Sequence, residues 1–552
     1  MKESALEKAR ANYSPKMPSM LGGPVEAVEG EKTQSVANNE EIQSLFPNTY
    51  GMPVVKFIPS QASKPMPAIN VGVILSGGQA PGGHNVIAGL FDGLKSLHAD
   101  SRLYGFLGGP RGLIEHNYTE LTSDIIDKYR NTGGFDIIRS GRDKLEHEKQ
   151  FDAGLEILNQ LNIKALVIIG GDDSNTNACL LAEYYKKKNT GIQVIGCPKT
   201  IDGDLKNAQI ETSFGFDTAC KVYSELIGNI ERDCNSARKY WHFIKLMGRS
   251  ASHIALECAL QTQPNLCIIS EEVQRNNSNL DNIVTEIADL VEERYNAGNR
   301  FGIILIPEGL IEFIPDFKVL ISEINKLLGV PANAEQFNKL DKSERMSYIQ
   351  GKLSPKSAQL YASLPASVAA QLILERDSHG NVQVSLIETE KLLSDLVRTN
   401  LAERNNPKLL EAFAPLHHFF GYEGRCAAPS NFDANYCYSL GYTASRLIAA
   451  GKTGYMASVT NTTAPASEWE AGGIPITMMM NMEYRNEGSK PVIRKALVEL
   501  DGAPFLTFAK RREDWKKSTS YLYPGPIQYF GPAELCDRPT ITLCLEQGKT
   551  LD

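Results

Sequence analysis

The seven residues PKTIDGD, at positions 198–204, combine a cation, a hydroxyl group and two carboxylates. Asp202 and Asp204 are two residues apart, so in an extended segment their side chains project to the same side. One carboxylate can then accept a proton while the other tunes the site, and Lys199 can counter the charge of a phosphoryl group in transit. The alternative interpretation is a simple turn built around Asp-Gly.

Two more carboxylates, Asp172 and Asp173, follow an apolar run and two glycines in the sequence GGDDS, at 170–174. Carboxylates at the start of a helix can be mere caps. An adjacent pair beside two glycines also suits Mg²⁺, which takes carboxylate, water and substrate phosphate oxygens as ligands. We therefore expect a magnesium site at this pair.

A glycine-rich segment, SGGQAPGGHN at 76–85, lies between another apolar run and a helical pattern. Its glycines allow backbone amides to close around a phosphate at a helix N-terminus. Glycine-rich turns also arise for steric reasons alone, so this motif is weak by itself. The glycines concerned are Gly77, Gly78, Gly82 and Gly83.

Three short motifs supply groups that suit a sugar phosphate. MGRS (247–250) places Arg249 after an apolar run, where its planar guanidinium group can grip a phosphate. PEG (307–309) offers Glu308 as an acceptor for sugar hydroxyl groups, and YEGR (422–425) adds Arg425. Taken singly, each of these side chains can equally be an ordinary surface residue.

Short apolar runs precede most of these motifs, and helical patterns follow them. Strands that alternate with helices predict a parallel, doubly wound α/β sheet. Ligands of such sheets bind beyond the carboxyl ends of the strands, where these motifs fall. The runs are VGVIL (71–75), ALVII (165–169), QVIG (193–196), HFIKL (242–246), LCII (266–269) and FGIILI (301–306).

The composition excludes several classes of protein. The chain has 552 residues, of which 42% are hydrophobic, enough for two or three packed cores. A formal net charge of −8 argues against a nucleic-acid binder. Ten scattered cysteines without a C-x-x-C pair predict neither zinc nor disulfides and favour a reducing cytoplasm. No signal peptide or 18-residue apolar stretch is present, so we expect no membrane segment.

The ordered series GGQAPG, GGDDS, PKTIDGD, MGRS, PEG and YEGR resembles the phosphofructokinases over roughly residues 70–445. Within that family the chain resembles the long, pyrophosphate-dependent branch. The resemblance implies two doubly wound Rossmann-like α/β domains, a mainly helical insertion and an N-terminal extension with sparse regular structure. The expected boundaries are 1–68 for the extension, 69–238 for a pyrophosphate and magnesium domain and 239–314 for the first part of a fructose 6-phosphate domain. The insertion is expected at 315–412, with a weak β pattern at VQVSLIE. Residues 413–552 are expected to form a sugar-site loop and a closing segment.

The resemblance also implies a role for each matching residue. Asp202 is expected to accept the proton, with Asp204 beside it, Lys199 to stabilise the transition state and Asp172 to bind Mg²⁺. Lys239 and Tyr240 are expected to reach the sugar site of a neighbouring subunit, which implies a homodimer. The diphosphate is expected to contact Gly77, Gly78 and Gly171, and fructose 6-phosphate to contact Thr200, Ile201, Asp202, Met247, Gly248, Arg249, Glu308, Tyr422 and Arg425.

The resemblance implies that two positions select the phosphoryl donor, because the ATP-using members of that family carry glycine in place of both Asp173 and Lys199. A carboxylate at 173 fills the space of a nucleotide α-phosphate and repels it. Lys199 gives a positive charge to a small donor that lacks a nucleoside. We therefore expect pyrophosphate to phosphorylate the 1-hydroxyl group of fructose 6-phosphate reversibly. The alternatives are an ATP-dependent phosphofructokinase and a non-catalytic regulatory subunit; a dinucleotide-binding dehydrogenase lacks support, because G-x-G-x-x-G spacing is absent.

Overall fold

The computed structural model describes residues 5–61, 66–373, 382, 386–485, 488–527 and 533–550. These residues form two β-sheets with helices packed against them and a hairpin near the C-terminus. The strands are β1 (Val25–Lys32), β2 (Pro53–Pro59), β3 (Asn70–Leu75), β4 (Arg102–Phe106), β5 (Tyr118–Glu120), β6 (Ile163–Gly170), β7 (Gln193–Thr200), β8 (Phe214–Gly215), β9 (Trp241–Leu246), β10 (Leu266–Cys267), β11 (Gly302–Pro307), β12 (Pro415–Phe420), β13 (Tyr455–Thr460), β14 (Glu470–Pro475), β15 (Met480–Arg485) and β16 (Gly488–Ile493).

Helices connect most of these strands. Short 3₁₀ turns lie at Ser19–Gly22, Ala466–Glu468 and Ile476–Met479. The α-helices are α1 (Ala5–Ala11), α2 (Asn39–Leu45), α3 (Gly83–Leu97), α4 (Pro110–Ile114), α5 (Ser123–Ile126), α6 (Glu148–Gln160), α7 (Asp172–Lys187), α8 (Phe216–Ala237), α9 (His253–Thr262), α10 (Ser270–Arg275), α11 (Leu280–Asn296), α12 (Leu310–Phe313), α13 (Pro315–Gly329), α14 (Pro331–Lys339), α15 (Lys342–Gln350), α16 (Pro355–Ser363), α17 (Ala366–Gln371), α18 (Thr389–Glu403), α19 (Pro407–Ala412), α20 (Tyr422–Arg425), α21 (Asn431–Ala449), α22 (Ala503–Lys517), α23 (Ala533–Cys536) and α24 (Ile541–Glu546).

Within the described residues the first sheet has ten strands in the order β1-β2-β14-β13-β7-β6-β3-β4-β5, with β8 paired to the end of β7. Its central strands, from β13 to β4, are parallel neighbours. Strands β3, β6 and β7 are buried along almost their whole length, as parallel strands covered by helices must be. This burial explains their continuous Val and Ile runs, and the three strands predicted there are confirmed.

The second sheet is parallel throughout, in the order β10-β11-β9-β12. The predicted runs HFIKL, LCII and FGIILI form β9, β10 and β11. The fourth strand, β12, was not predicted, because two histidines interrupt its apolar pattern. It lies at the edge of the sheet and is mostly accessible, so a buried-strand pattern is not required of it.

The chain passes twice between the two sheets. Helix α8 follows β8 of the first sheet and leads to β9 of the second, and after β12 helix α21 leads back to β13. The segment 413–552, expected to hold a sugar-site loop and a closing segment, contributes to both sheets: β12 belongs to the second sheet, whereas β13 and β14 complete the first. Each connection therefore begins beyond the carboxyl end of one sheet and leads to the start of a strand in the other.

The N-terminal extension is more ordered than the sequence analysis predicted. Strands β1 and β2 pair in antiparallel fashion, and β2 pairs with β14, so the extension adds two strands to the first sheet. The alternating burial of β2, where Val55 and Phe57 point inward, is the two-residue period of a half-buried strand. The expectation of sparse regular structure was wrong because the polar composition of this region obscures that period.

The insertion consists of helices α13 to α19 where it is described. Their apolar residues, including Phe317 and Leu392, share a core with Trp241 and Ile304 of the second sheet. The weak β pattern of VQVSLIE lies largely outside the described residues, apart from Val382 and residues 386–388. Across the described part of the chain, no helix is both long and apolar enough to cross a bilayer.

Candidate functional site

The glycine turn, residues 76–83, follows β3 and is fixed from both sides. Gly77 has a φ of +82°, which favours glycine, and its amide donates a hydrogen bond to the carbonyl of Gly141 at 2.8 Å. A Cβ atom on Gly77 would lie 3.4 Å from Nζ of Lys199. Ser76 accepts a hydrogen bond from Ser174 at 2.8 Å. These contacts bring the glycine turn together with the GGDDS and PKTIDGD motifs.

The second glycine of the turn supports an arginine from the far end of the chain. A Cβ atom on Gly78 would lie 1.3 Å from Nη2 of Arg425, so the guanidinium group in this position fills the space of a side chain at 78. Nε of Arg425 donates to the carbonyl of Gln79 at 3.0 Å. Arg425, predicted as a sugar-phosphate contact, thus lies directly on the turn predicted to bind the diphosphate. One guanidinium group therefore connects the YEGR motif to the glycine turn.

The GGDDS motif forms the N-terminus of α7, with Gly171 as its N-cap. Asp172 is 30% exposed and lies 3.5 Å from Nζ of Lys495. Asp173 is 52% exposed and pairs with Lys144 at 3.2 Å. The two carboxylates therefore have different partners and different surroundings, although they are adjacent in sequence. The helix N-terminus also favours negative charge at both positions.

Lys199 is the buried cation of the site, with 6% of its surface exposed. Its Nζ lies against Gly77 and Gly171, as the distance of 3.8 Å from a Cβ placed on Gly171 shows. Burial, with help from Arg425 and Arg142, lowers the pKa of Lys199 to about 8, although Asp202 and Asp172 oppose the shift. The ammonium group is therefore easily deprotonated for a lysine.

The three residues after Lys199 place the predicted proton acceptor. The amide of Asp202 donates to Oγ1 of Thr200 at 3.0 Å, which folds the segment into a turn with Gly203 at a φ of +73°. Ile201 is buried, and Asp202 is partly accessible. Asp204 is 6% exposed, and its burial and then the neighbouring Asp202 raise its pKa to about 7.

A cation that sequence analysis missed approaches these carboxylates from the C-terminal segment. Nζ of Lys495 lies 3.5 Å from Asp172 and 3.9 Å from Asp204. Burial disfavours the charge on this lysine, but Asp172, Asp204 and Asp202 outweigh it and raise its pKa. The surrounding sequence, PVIRKALVEL, contains no glycine-rich turn or acidic pair that would have signalled a site.

On the acceptor side, the MGRS loop (247–250) continues β9 beside β11. The amide of Met247 donates to the carbonyl of Phe420 at 2.9 Å, which fixes the loop to β12. Gly248 has a φ of +131°, and its amide donates to Oε2 of Glu308 at 2.9 Å. Glu308 is 2% exposed, and its burial raises its pKa. Glu308 therefore holds the loop as well as facing the site.

Three arginines converge between the two sides. Arg249 is exposed, and Arg425 packs on the glycine turn as described above. Arg142 was missed by sequence analysis; its burial and then the charges of Arg425 and Arg249 lower its pKa. Three guanidinium groups this close repel one another, so an anion bound among them would be strongly favoured.

The YEGR motif forms the short helix α20. Tyr422 is 67% exposed, and its ring lies 5.9 Å from the guanidinium carbon of Arg425. The two histidines before the motif have other partners: His417 hydrogen-bonds with Ser394 at 2.7 Å and His418 with His242 at 2.9 Å. These contacts favour a packing role for both histidines.

Lys239 and Tyr240 are not part of this cluster. They precede β9, whereas Met247 follows it, and β9 has six residues. A strand of that length separates the two positions by roughly 20 Å. Nζ of Lys239 lies 4.9 Å from the centre of the Tyr240 ring. Within one chain, therefore, neither side chain contributes to the site.

The residues present fit a magnesium ion that arrives with its substrate. In the described ranges, no group of three or more His, Cys, Asp or Glu side chains could hold a metal alone. Mg²⁺ often binds through one or two carboxylates, waters and substrate phosphates, so such a group is not needed. Asp172, partly exposed and next to Gly171 and Lys199, is suited to this kind of site.

Comparisons with known proteins agree with this geometry. The family model described as Phosphofructokinase matches residues 70–354. The chain is 65% identical over 549 residues, 99% of this chain and 100% of the relative, to pyrophosphate–fructose 6-phosphate 1-phosphotransferase of Porphyromonas gingivalis. It is 53% identical over 561 residues, 99% of this chain and 98% of the relative, to the protein of the same name from Treponema pallidum.

A solved structure also matches the fold. Pyrophosphate-dependent phosphofructokinase from Nitrosospira multiformis superposes with a TM-score of 0.54 at 15% identity, covering 84% of this chain and 96% of that one. At this identity the likeness concerns the fold alone. The fold class expected from the sequence is thereby confirmed.

Proposed function

This chain belongs to the phosphofructokinase family, and on that premise we propose that it transfers a phosphoryl group from pyrophosphate to the 1-hydroxyl group of fructose 6-phosphate. The products are fructose 1,6-bisphosphate and orthophosphate, and the reaction is reversible. The names of the full-length relatives agree with the reaction expected from the sequence. The observation that carries the proposal is the arrangement of Lys199 and Asp173 around the glycine turn.

The donor side is built for a small anion. Lys199 lies against both Gly77 and Gly171, so a phosphate held by the backbone of these turns would be next to its ammonium group. Asp173 stands at the start of α7, where Lys144 holds its carboxylate at 3.2 Å. A nucleotide with a further phosphate at that position would meet a fixed negative charge. Pyrophosphate has no such phosphate.

The mechanism follows from the same geometry. Asp202 is partly accessible beyond β7 and accepts the proton of the sugar 1-hydroxyl group. The hydroxyl oxygen attacks the nearer phosphorus of pyrophosphate in line, and the bond from that phosphorus to the bridging oxygen breaks to release orthophosphate. Lys199 and the backbone amides of the glycine turn stabilise the negative charge on the transferred group. Arg249, Arg425 and Glu308 hold the sugar phosphate. Magnesium, held by Asp172 and the diphosphate, would supply further charge neutralisation.

We also propose a homodimer in which the sugar site is shared. Lys239 and Tyr240 lie about 20 Å from Met247 by strand length, so they can serve a sugar site only in another chain. The edge strand β12 leaves Leu416 and Phe419 accessible, at 38% and 36%, which suits an interface. The nine cysteines whose side chains are described are free thiols, which supports the cytoplasm as the compartment.

The test is an assay of the purified full-length protein with fructose 6-phosphate and Mg²⁺, with either pyrophosphate or ATP as donor. Formation of fructose 1,6-bisphosphate is measured. We expect activity with pyrophosphate and little with ATP. Activity with ATP alone would contradict the interpretation of Asp173 and Lys199. Activity with neither donor would identify a non-catalytic subunit. If the protein is active with pyrophosphate, the double variant Asp173→Gly with Lys199→Gly tests what selects its donor.

A further inference from the structure

Lys495 comes from a part of the chain that none of the sequence motifs includes. It follows β16, and hydrogen bonds to residues that follow strands of both sheets fix the backbone around it. The amide of Ala496 donates to the carbonyl of Asp204 at 2.7 Å, and the carbonyl of Ala496 lies 2.9 Å from Nε2 of His253. The amide of Val498 donates to Glu271 at 3.0 Å. The backbone at Lys495 is therefore held close to the carboxylates of the donor side and to the MGRS loop.

The ammonium group of Lys495 lies between the two sides of the site. Its shortest contact is with Oγ of Ser250, at 2.6 Å, in the MGRS loop next to Arg249. The carboxylates Asp172 and Asp204 lie further away, at 3.5 and 3.9 Å. An ammonium group has three donors, and Ser250 takes one. The side chain is 40% exposed, so a ligand can reach it.

The positive charge of Lys495 suits a phosphate ligand. Lys199 lies against Gly171, immediately before Asp172, and Lys495 approaches Asp172 through the carboxylate. A diphosphate placed between the glycine turn and Asp172 would meet one ammonium group from each lysine. A donor without a nucleoside has only its phosphates to bind by, so each additional cation contributes directly to its affinity.

We propose that Lys495 is a further diphosphate-binding residue, whose ammonium group turns from the carboxylates to the phosphate oxygens of the donor. This inference rests on the proposed function. Ser250 links the position of Lys495 to the MGRS loop, so the donor and acceptor sides are joined by a single side chain. The competing interpretation is a purely structural link between the two sheets.

The experiment compares Lys495→Met with Lys490→Met, a matched control five residues earlier. Lys490 has nearly the same exposure, 38% against 40%, but it pairs with Glu146 at 3.7 Å. Binding of imidodiphosphate, a hydrolysis-resistant analogue of pyrophosphate, is measured by calorimetry with and without Mg²⁺. Binding of fructose 6-phosphate and the thermal midpoint are measured for the same proteins.

We expect Lys495→Met to weaken imidodiphosphate binding and to raise the KM for pyrophosphate by about tenfold, which corresponds to about 1.4 kcal/mol. Fructose 6-phosphate affinity and the thermal midpoint should stay close to those of the unsubstituted protein, as should every property of Lys490→Met. Lys495→Arg should recover part of the loss, and Ser250→Ala should cause a smaller loss, about threefold, because the ammonium group keeps its charge but loses its anchor.

Unchanged imidodiphosphate affinity in Lys495→Met would overturn the inference. So would an equal loss of affinity for both substrates with a lowered thermal midpoint, because a structural link predicts that result. If the unsubstituted protein itself fails to bind imidodiphosphate, the proposed function fails instead. The titrations and the thermal midpoints together distinguish these three results.

Discussion

The donor and acceptor sides of the site differ in how complete they are within one chain. On the donor side, Lys199 and Asp204 are each 6% exposed, and the carboxylates of Asp172 and Asp173 each have a lysine partner. On the acceptor side, Arg249 is exposed, and no described residue forms a hydrogen bond or ion pair with its guanidinium group. The charged groups of the donor side therefore have partners within the chain, whereas Arg249 on the acceptor side is open to solvent.

Under the proposed shared sugar site, this difference places the contribution of a second chain on the acceptor side. A small, highly charged donor gains most from buried cations, because a low local dielectric strengthens each contact. The sugar phosphate is larger, and the residues that remain for it, Lys239 and Tyr240, lie at the opposite end of β9. We therefore expect substitutions on the donor side to affect turnover within one chain, and some on the acceptor side to act across subunits.

The largest effect is expected from Asp202→Asn. An amide cannot accept the sugar proton, so kcat should fall by about 10²- to 10⁴-fold, the usual contribution of a general base. The side chain keeps its size, and the affinity for fructose 6-phosphate, measured by calorimetry without donor, should change little. Near-normal turnover would remove Asp202 from the mechanism and would weaken the assignment of chemistry to the donor side.

The second prediction concerns the charge of Lys199. Lys199→Met should lower kcat by about 10²- to 10³-fold, as for the loss of other groups that stabilise a transition state. Since the pKa of Lys199 is lowered to about 8, the cation is present below that pH and is lost above it. The kcat/KM for pyrophosphate should therefore fall about tenfold per pH unit above pH 8.

Lys199→Arg is the control for that profile. Arginine stays charged throughout the range, so the decline above pH 8 should disappear even if the rate at its maximum is lower. A decline that persists in Lys199→Arg would show that another group titrates. The profile of kcat should decline at higher pH than that of kcat/KM, because bound pyrophosphate stabilises the ammonium form.

The sequence predicted those parts of the site whose residues are close together in the chain. GGDDS and PKTIDGD each follow a buried strand directly, so strand pattern and side-chain chemistry could be interpreted together. Arg142 and Lys495 could not be found in this way. Arg142 lies in an irregular loop, and Lys495 meets Asp172 only because the chain returns to the first sheet after β12.

The fold was predictable to a similar extent. Continuous apolar runs identified β3, β6, β7, β9, β10 and β11, because both faces of these strands are buried. Strands at or next to the edges, such as β1, β2 and β12, carry polar or charged residues on an accessible face and lack that signal. The first sheet takes strands from two separate parts of the chain. This arrangement depends on pairing between β13 and β7, which no local sequence pattern encodes.

A smaller effect is expected from Arg249→Met. A charged hydrogen bond to a phosphate contributes about 1.5–3 kcal/mol, so the KM for fructose 6-phosphate should rise by about 10- to 100-fold. The KM for pyrophosphate should change little, because Arg249 belongs to the acceptor side. Arg249→Lys should recover part of the affinity but not the two-pronged contact. An equal rise in both KM values would contradict the separation of the two sides.

The smallest effect is expected from Lys239→Met, with a rise of about fivefold in the KM for fructose 6-phosphate if one exposed phosphate contact is lost. Subunit mixing shows whether that contact crosses the interface. When Lys239→Met and Asp202→Asn chains are unfolded together and refolded at equal amounts, half of the dimers should be mixed. In a shared arrangement each mixed dimer has one site with both native residues.

About a quarter of all sites should then be native, and about another quarter, those of the Lys239→Met homodimers, should be active with the raised KM. The mixture should therefore show about half of the normal kcat, and about half of that activity should have a normal KM for fructose 6-phosphate, as the symmetry of a two-fold dimer requires. If Lys239 serves no site in a partner, every active site in the mixture keeps the raised KM of the Lys239→Met chain. Each variant refolded alone is the control, because neither should recover the normal KM together with the normal rate. A mixture that behaves as the sum of its parts would show that the acceptor side is complete in one chain, as the donor side is.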